Sequence, residues 1–214
     1  MKNLDTRFLV EGTECRANEV DGKFFIEGYA LKFDTRSNLL GGSFYETLER
    51  GCLDNCDMSN VLVRINHMGD MNSVVGRSGV NLVLSVDAVG LRYVVELDSE
   101  SERDMQLYRD IKRGLLPSSS FAFTIAEDGD ELSRTEDGTI LRKVKNIDKL
   151  YDVAPVHNPA YDDTSVSARC SDSIMEFEKE EAERSKENEE ESKRVKHALN
   201  FDDEARLRLL KQKM

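Results

Sequence analysis

From about residue 170 onward the sequence almost stops offering side chains to bury, and this limits where a fold can be built. Residues 171–214 hold 13 Asp/Glu and 10 Lys/Arg, so 23 of 44 positions are charged. The stretch MEFEKEEAERSKENEEESKRVK has almost no apolar stripe. Such a segment is either a solvated helix laced by i,i+4 Glu/Lys pairs or a disordered tail. Only Leu207, Leu209 and Leu210 restore enough apolar surface for a short terminal helix that docks on something. The core must therefore come from the first 170 residues, a length that suits one domain of ordinary size with an appendage.

The 214 residues carry 42 acidic and 30 basic side chains, a net charge of -12 and a pI near 4.8. An acidic chain without a basic stripe is a poor partner for nucleic acid, whose affinity rests on phosphate contacts. No apolar run approaches the roughly 18 residues of a membrane span, and MKNLDTRFLVEG lacks a signal-peptide core. A soluble, unexported protein is expected, with neither nucleic acid nor membrane as a partner. Cys52 and Cys56 form C-x3-C without the second pair that a zinc quartet needs. With Cys15 and Cys170 they read as free thiols in a reducing compartment.

Within the first 170 residues the apolar runs are of strand length. KFFIEGYALKF at 23–33 reads as a strand with a bend or bulge at Gly28. VLVRI at 61–65, GVNLVLSVDAVG, GLRYVVELD, SSFAFTIA, ILRKVKNI and LYDVAPV read as further strands. FYETLERGCL is expected to be a short helix ending at Gly51, and EDGDELSRTEDGT a solvated hairpin tip. One longer helix interrupts the strands. Ser99 and Glu102 have capping-box spacing, Met105, Tyr108, Ile111 and Leu115 recur at helical intervals, and Gly114 is placed to end it.

Three segments hold groups able to do chemistry: NHMGD at 66–70, PSSSFAF at 117–123 and LYDVAPVHNPAY at 150–161. A serine hydrolase needs a hydroxyl nucleophile, a base to take its proton and a group that orients the base. Strand parity separates the serines. Ser119 shares the apolar face with Phe121, Phe123 and Ile125, whereas Ser120 lies with Ala122 and Thr124, where small neighbours leave room for a substrate. Ser118 belongs to the turn at Pro117, and on composition alone all three serines are polar turn residues. His67 follows an apolar strand face and reads equally as a half-buried structural histidine. His157 lies five residues beyond Asp152, with Pro155 obscuring its direction, and His197 falls in the charged tail. A metal cluster of His67, Asp70 and His157 has no recognised ligand spacing.

Taken in order, these segments resemble the prohead maturation proteases of tailed bacteriophages. The likeness runs over roughly residues 8–169: FFIEGYALKFDTRSNLLGGSFYETLERGCL, then VLVRINHMGDMNSVVGRSG with its Asn-His pair, the strand at 90–97, the helix, Ser120-Phe121-Ala122-Phe123, and LYDVAPVHNPAYDDTSVSAR. Ala122 stands where the family usually has Gly, Ala154 where it has Ser, and His157 where Thr is frequent. The resemblance implies a mainly β fold with flanking helices (α+β), a β-barrel like that of the herpesvirus assembly proteases. It implies a serine protease domain at 1–169 and a charged tail at 170–214 removed by self-cleavage. By motif match Ser120 is the nucleophile, His67 the general base and Asp152 the residue that orients it. Asp148, four residues earlier, is the alternative third member, and Ser119 the alternative nucleophile. No cofactor or metal is implied. The expected partners are the major capsid protein or its scaffolding segment, with self-association, inside the assembling prohead in the host cytoplasm. A non-catalytic assembly or scaffolding protein that uses the tail as a partner helix is the alternative from another class, and a metal-dependent hydrolase a third.

Overall fold

The computed structural model describes residues 5–8, 15–40, 42–157 and 173–193. The chain divides into two compact units, Met1–Ala168 and Arg169–Met214. In the second, residues 173–193 are helical, and Lys193 Nζ lies 3.9 Å from Glu189 Oε2, an i,i+4 pair of the kind the composition suggested. Leu207, Leu209 and Leu210 lie outside the described residues.

The first unit is mainly β with one α-helix among its described residues. Its strands are β1 (Asp5–Phe8), β2 (Arg16–Val20), β3 (Lys23–Lys32), β4 (Phe44–Leu48), β5 (Leu62–Arg64), β6 (Val74–Arg77), β7 (Leu82–Val86) and β8 (Gly90–Leu97). After the helix α1 (Glu102–Lys112) come β9 (Ser118–Ile125), β10 (Asp130–Arg134), β11 (Ile140–Val144) and β12 (Ile147–Val156). They build three sheets, in the orders β1-β9-β12-β5-β6, β2-β3-β8-β7 and β10-β11-β4. Among the described residues the expected barrel is not formed. Closure needs one continuous ladder of strands, whereas here the hydrogen bonding is divided among three open sheets, and the five-stranded one ends at β1 and at the four-residue β6.

The core is where the inward faces meet. Ile26 of β3, Tyr93 and Val95 of β8, and Phe121 and Phe123 of β9 have no exposed surface. The two larger sheets approach closely at Gly76 of β6: a Cβ there would come within 2.8 Å of Val95 Cγ1 and 2.9 Å of Val63 Cγ2. Glycine is required at this contact because any side chain would push the strands apart.

Five local expectations are corrected. FYETL is strand β4, not a helix: Phe44, Glu46 and Leu48 are buried in alternation, and the inward Glu46 disguises the two-residue period by pairing with buried Arg142. The polar stretch after Ile125 contains β10, which forms a hairpin with β11 and brings Asp130 Oδ2 within 2.6 Å of Arg142 Nε. The bulge of β3 falls between Tyr29 and Leu31, while Gly28 pairs regularly with Tyr93. Helix α1 is capped by Ser101, whose Oγ accepts from the Asp104 amide, two residues after the expected cap. Leu107, Tyr108 and Ile111 are buried, but Leu115 lies beyond the last turn and is half exposed, its place in the core taken by Leu116. Gly114, at φ +77°, ends the helix in the left-handed region as its position predicts.

Candidate active site

The five-stranded sheet brings the three chemically interesting segments side by side. β12 lies between β9 and β5, antiparallel to the first and parallel to the second. In this register Ser120 is opposite Ala154, Ala122 is opposite Asp152, and Asp152 is opposite Leu62. Directly opposed residues project to the same side of a sheet, as do alternate residues of one strand. Ser120, Ala122, Asp152 and Ala154 therefore share one face, with small alanines filling the other corners of the square.

His67 reaches that face from the end of β5. After Arg64 the chain makes a tight turn over Ile65–His67, closed by the Met68 amide donating to the Ile65 carbonyl at 3.1 Å. Asn66 and His67 both have left-handed backbone, at φ 52° and 55°. Asn and His are among the non-glycine residues that enter this region most often, though holding such backbone still costs on the order of 1–3 kcal/mol per residue. The turn is tied down on each side. Asn66 Oδ1 accepts from the His157 amide at 3.2 Å and lies 3.0 Å from its Nδ1, joining the turn to the end of β12. Asp70 Oδ1 accepts from the Ser73 amide at 2.8 Å in the following turn.

The three side chains form one row. His67 Nε2 is 2.5 Å from Ser120 Oγ, and His67 Nδ1 is 2.5 Å from Asp152 Oδ1. With the Nδ1–H tautomer, the ring donates to the carboxylate and accepts from the serine hydroxyl, so Nε2 is free to take a proton from Oγ. The side chains of His67 and Asp152 are 12% and 11% exposed, while Ser120 has no exposed surface. The room expected above Ser120 is therefore filled, because the imidazole lies over the hydroxyl on the face shared with the alanines. Asp152 Oδ2 faces Arg64 Nε at 3.8 Å.

The alternatives are placed elsewhere. Ser119 is fully buried on the core face, its Oγ 2.8 Å from the Tyr93 hydroxyl. Burial holds the Tyr93 phenol well above its ordinary pKa and pushes the neighbouring Cys15 thiol up to about 12, so this network stays protonated. Asp148 Oδ2 accepts a long hydrogen bond, 3.4 Å, from Thr124 Oγ1. It falls at the first of two register shifts in β12, between Ile147 and Lys149 and between Leu150 and Asp152. With two irregularities in the strand, four-residue spacing no longer decides which face a carboxylate takes. His67, Asp70 and His157 do not gather as metal ligands: both imidazole nitrogens of His67 are engaged, Asp70 caps a turn and His157 binds Asn66. Sequence reasoning passed over Arg64 and Asn66 as site residues. Asn66 was visible as the first member of the Asn-His pair, and Arg64 as a polar residue at the end of an apolar strand.

The model of the caudovirus prohead serine protease family matches residues 11–180 of the sequence. No curated protein matches it. Among solved structures the chain is similar to the capsid assembly protease of bacteriophage T4, at 10% identity and a TM-score of 0.43, over 71% of this chain and 96% of that one.

Proposed function

This chain belongs to the caudovirus prohead serine protease family, and on that premise we propose that it cuts peptide bonds with Ser120 as nucleophile, His67 as general base and Asp152 as the residue that orients the imidazole. The observation that carries this reading is the continuous row Ser120 Oγ–His67 Nε2–His67 Nδ1–Asp152 Oδ1, with both gaps at 2.5 Å. Ser120 Oγ attacks the scissile carbonyl while its proton passes to Nε2. The imidazolium so formed is stabilised by Asp152 through Nδ1–H, and it returns the proton from Nε2 to the leaving amine. Water then repeats the sequence against the acyl-enzyme, with His67 again the base. Because Ser120 is covered, a peptide reaches it only after its surroundings shift locally.

The substrates we propose are the capsid protein or its scaffolding segment, cut within the assembling prohead, and the chain itself near residue 170, where a compact domain gives way to a highly charged tail. The test is mass spectrometry of the chain co-expressed with its capsid protein, which maps cuts in both. Ser120→Ala is expected to abolish every cut. Asp152→Asn is expected to lower kcat by about four orders of magnitude, because an amide favours the wrong imidazole tautomer. Asp148→Asn is expected to stay within a few fold of wild type. Full processing by Ser120→Ala, or reversal of the two Asp variants, overturns the assignment.

A further inference from the structure

We propose that Arg64 is a positioning residue for the His67–Asp152 pair, an inference that rests on the catalytic reading above. Arg64 is the last residue of β5 and reaches two places at once. Its Nη1 donates to the Met68 carbonyl at 2.7 Å, and its Nε faces Asp152 Oδ2 at 3.8 Å. Between Arg64 and its first anchor, Met68, lie Asn66 and His67, both in left-handed backbone. A turn held in that region must be fixed from outside it, and Arg64 fixes the residue immediately after His67.

The second anchor matters for the carboxylate. Asp152 Oδ1 is taken by His67 Nδ1, leaving Oδ2 to face the guanidinium. A carboxylate held by one oxygen alone can rotate about its Cβ–Cγ bond and swing Oδ1 out of line with Nδ1. A cation on the other oxygen restricts that rotation. The side chains of Arg64 and Asp152 are 22% and 11% exposed, so water screens this interaction less than at the open surface. Because guanidinium is planar and forked, one side chain couples the position of the His67 turn to the rotation of Asp152. A lysine ammonium is a single point and serves one anchor at a time.

The turn does not depend on Arg64 alone. The Met68 carbonyl also lies 2.5 Å from Ser73 Oγ. Loss of Arg64 therefore leaves the turn tethered. What disappears is the link to Asp152.

The experiment compares wild type, Arg64→Ala, Arg64→Lys and Ser120→Ala as full-length chains, with melting curves to verify folding. Activity is read as kcat and KM on a peptide copied from a mapped cut, and as the rate of labelling by a fluorophosphonate. Proton NMR follows the low-field resonance of His67 Nδ1–H. Arg64→Ala is expected to lower kcat and the labelling rate by about 100-fold, the scale of a misaligned catalytic group. KM should stay within twofold and the low-field resonance should be lost. Arg64→Lys is expected to fall between the two and serves as the test if the alanine variant does not fold. Wild-type kcat in either variant, or a rise in KM at constant kcat, overturns the proposal. Cleavage surviving in Ser120→Ala instead overturns the catalytic reading on which it rests.

Discussion

The two neighbouring serines of β9 separate structure from catalysis in one measurable contrast. Ser119 Oγ lies 2.8 Å from the Tyr93 hydroxyl, which among the described residues has Cys15 Sγ, at 3.5 Å, as a further side-chain partner. Both Ser119 and Tyr93 are fully buried. Ser119→Ala removes a neutral buried hydrogen bond and leaves the phenol with a weak sulfur contact. A buried group losing its partner costs about 1–3 kcal/mol, and the sulfur keeps the expected value toward the low end, about 1–2 kcal/mol. For a unit of this size that lowers Tm by about 2–4 °C per kcal/mol. Tyr93→Phe should cost a similar amount by orphaning the serine instead. The double variant, which leaves neither group unpaired, should cost less than the sum by about 1 kcal/mol. Thermal and urea unfolding of the four proteins measures the cycle, and cleavage of the mapped peptide measures activity, expected within a few fold of wild type in Ser119→Ala. Two results would refute the reasoning: additive stabilities, which would mean the two hydroxyls are uncoupled, or loss of cleavage in Ser119→Ala, which would move the nucleophile to the core face.

Two further outcomes follow from buried groups away from the site. Arg142→Met removes a buried guanidinium from its ion pairs with Glu46 and Asp130; this is expected to cost about 3–5 kcal/mol in urea unfolding. Burial pushes the thiols of Cys15 and Cys52 up to about 12 and that of Cys56 up to about 11. Iodoacetamide at pH 8 should therefore modify these three slowly in the folded protein and rapidly in urea, as peptide mass spectrometry would read. The same shifts set the sign of a pH effect. Their stabilisation is complete below the ordinary thiol value of 9, and is lost as pH rises toward 12, because the unfolded chain releases these protons first.

What could be read from the sequence depended on how far each segment kept a regular period. In SSSFAF the alternation is unbroken, so parity alone puts Ser119 on the core face and Ser120 on the opposite one, where they are found. The strands of 23–33, 82–86 and 90–97 were legible for the same reason. β4 was not, because a buried Glu stood where an apolar residue would have marked the inward face. The third-member choice was obscured by the two register shifts of β12, which no residue type announces. Arg64 and Asn66 were hidden for another reason: their partners, Met68, Asp152 and His157, meet them only through the turn at His67 and the neighbouring strand. The division into three open sheets depends on strand pairing across long sequence separations, which local periodicity does not encode.

The order β9-β12-β5 has a consequence for when the protein becomes competent. The central strand of the trio is the last to be made. Until the chain has been synthesised through Val156, β9 and β5 have no strand between them, and Ser120 and His67, 53 positions apart, have nothing to hold them in register. The carboxylate of Asp152, which we propose orients the imidazole, arrives on the same late strand, 85 positions after the histidine. Long-range closure of this kind is slow compared with the formation of local hairpins. An incomplete chain therefore contains two of the three groups without their geometry, and on the proposed assignment the interval between translation and final strand insertion is a built-in delay before any peptide can be cut.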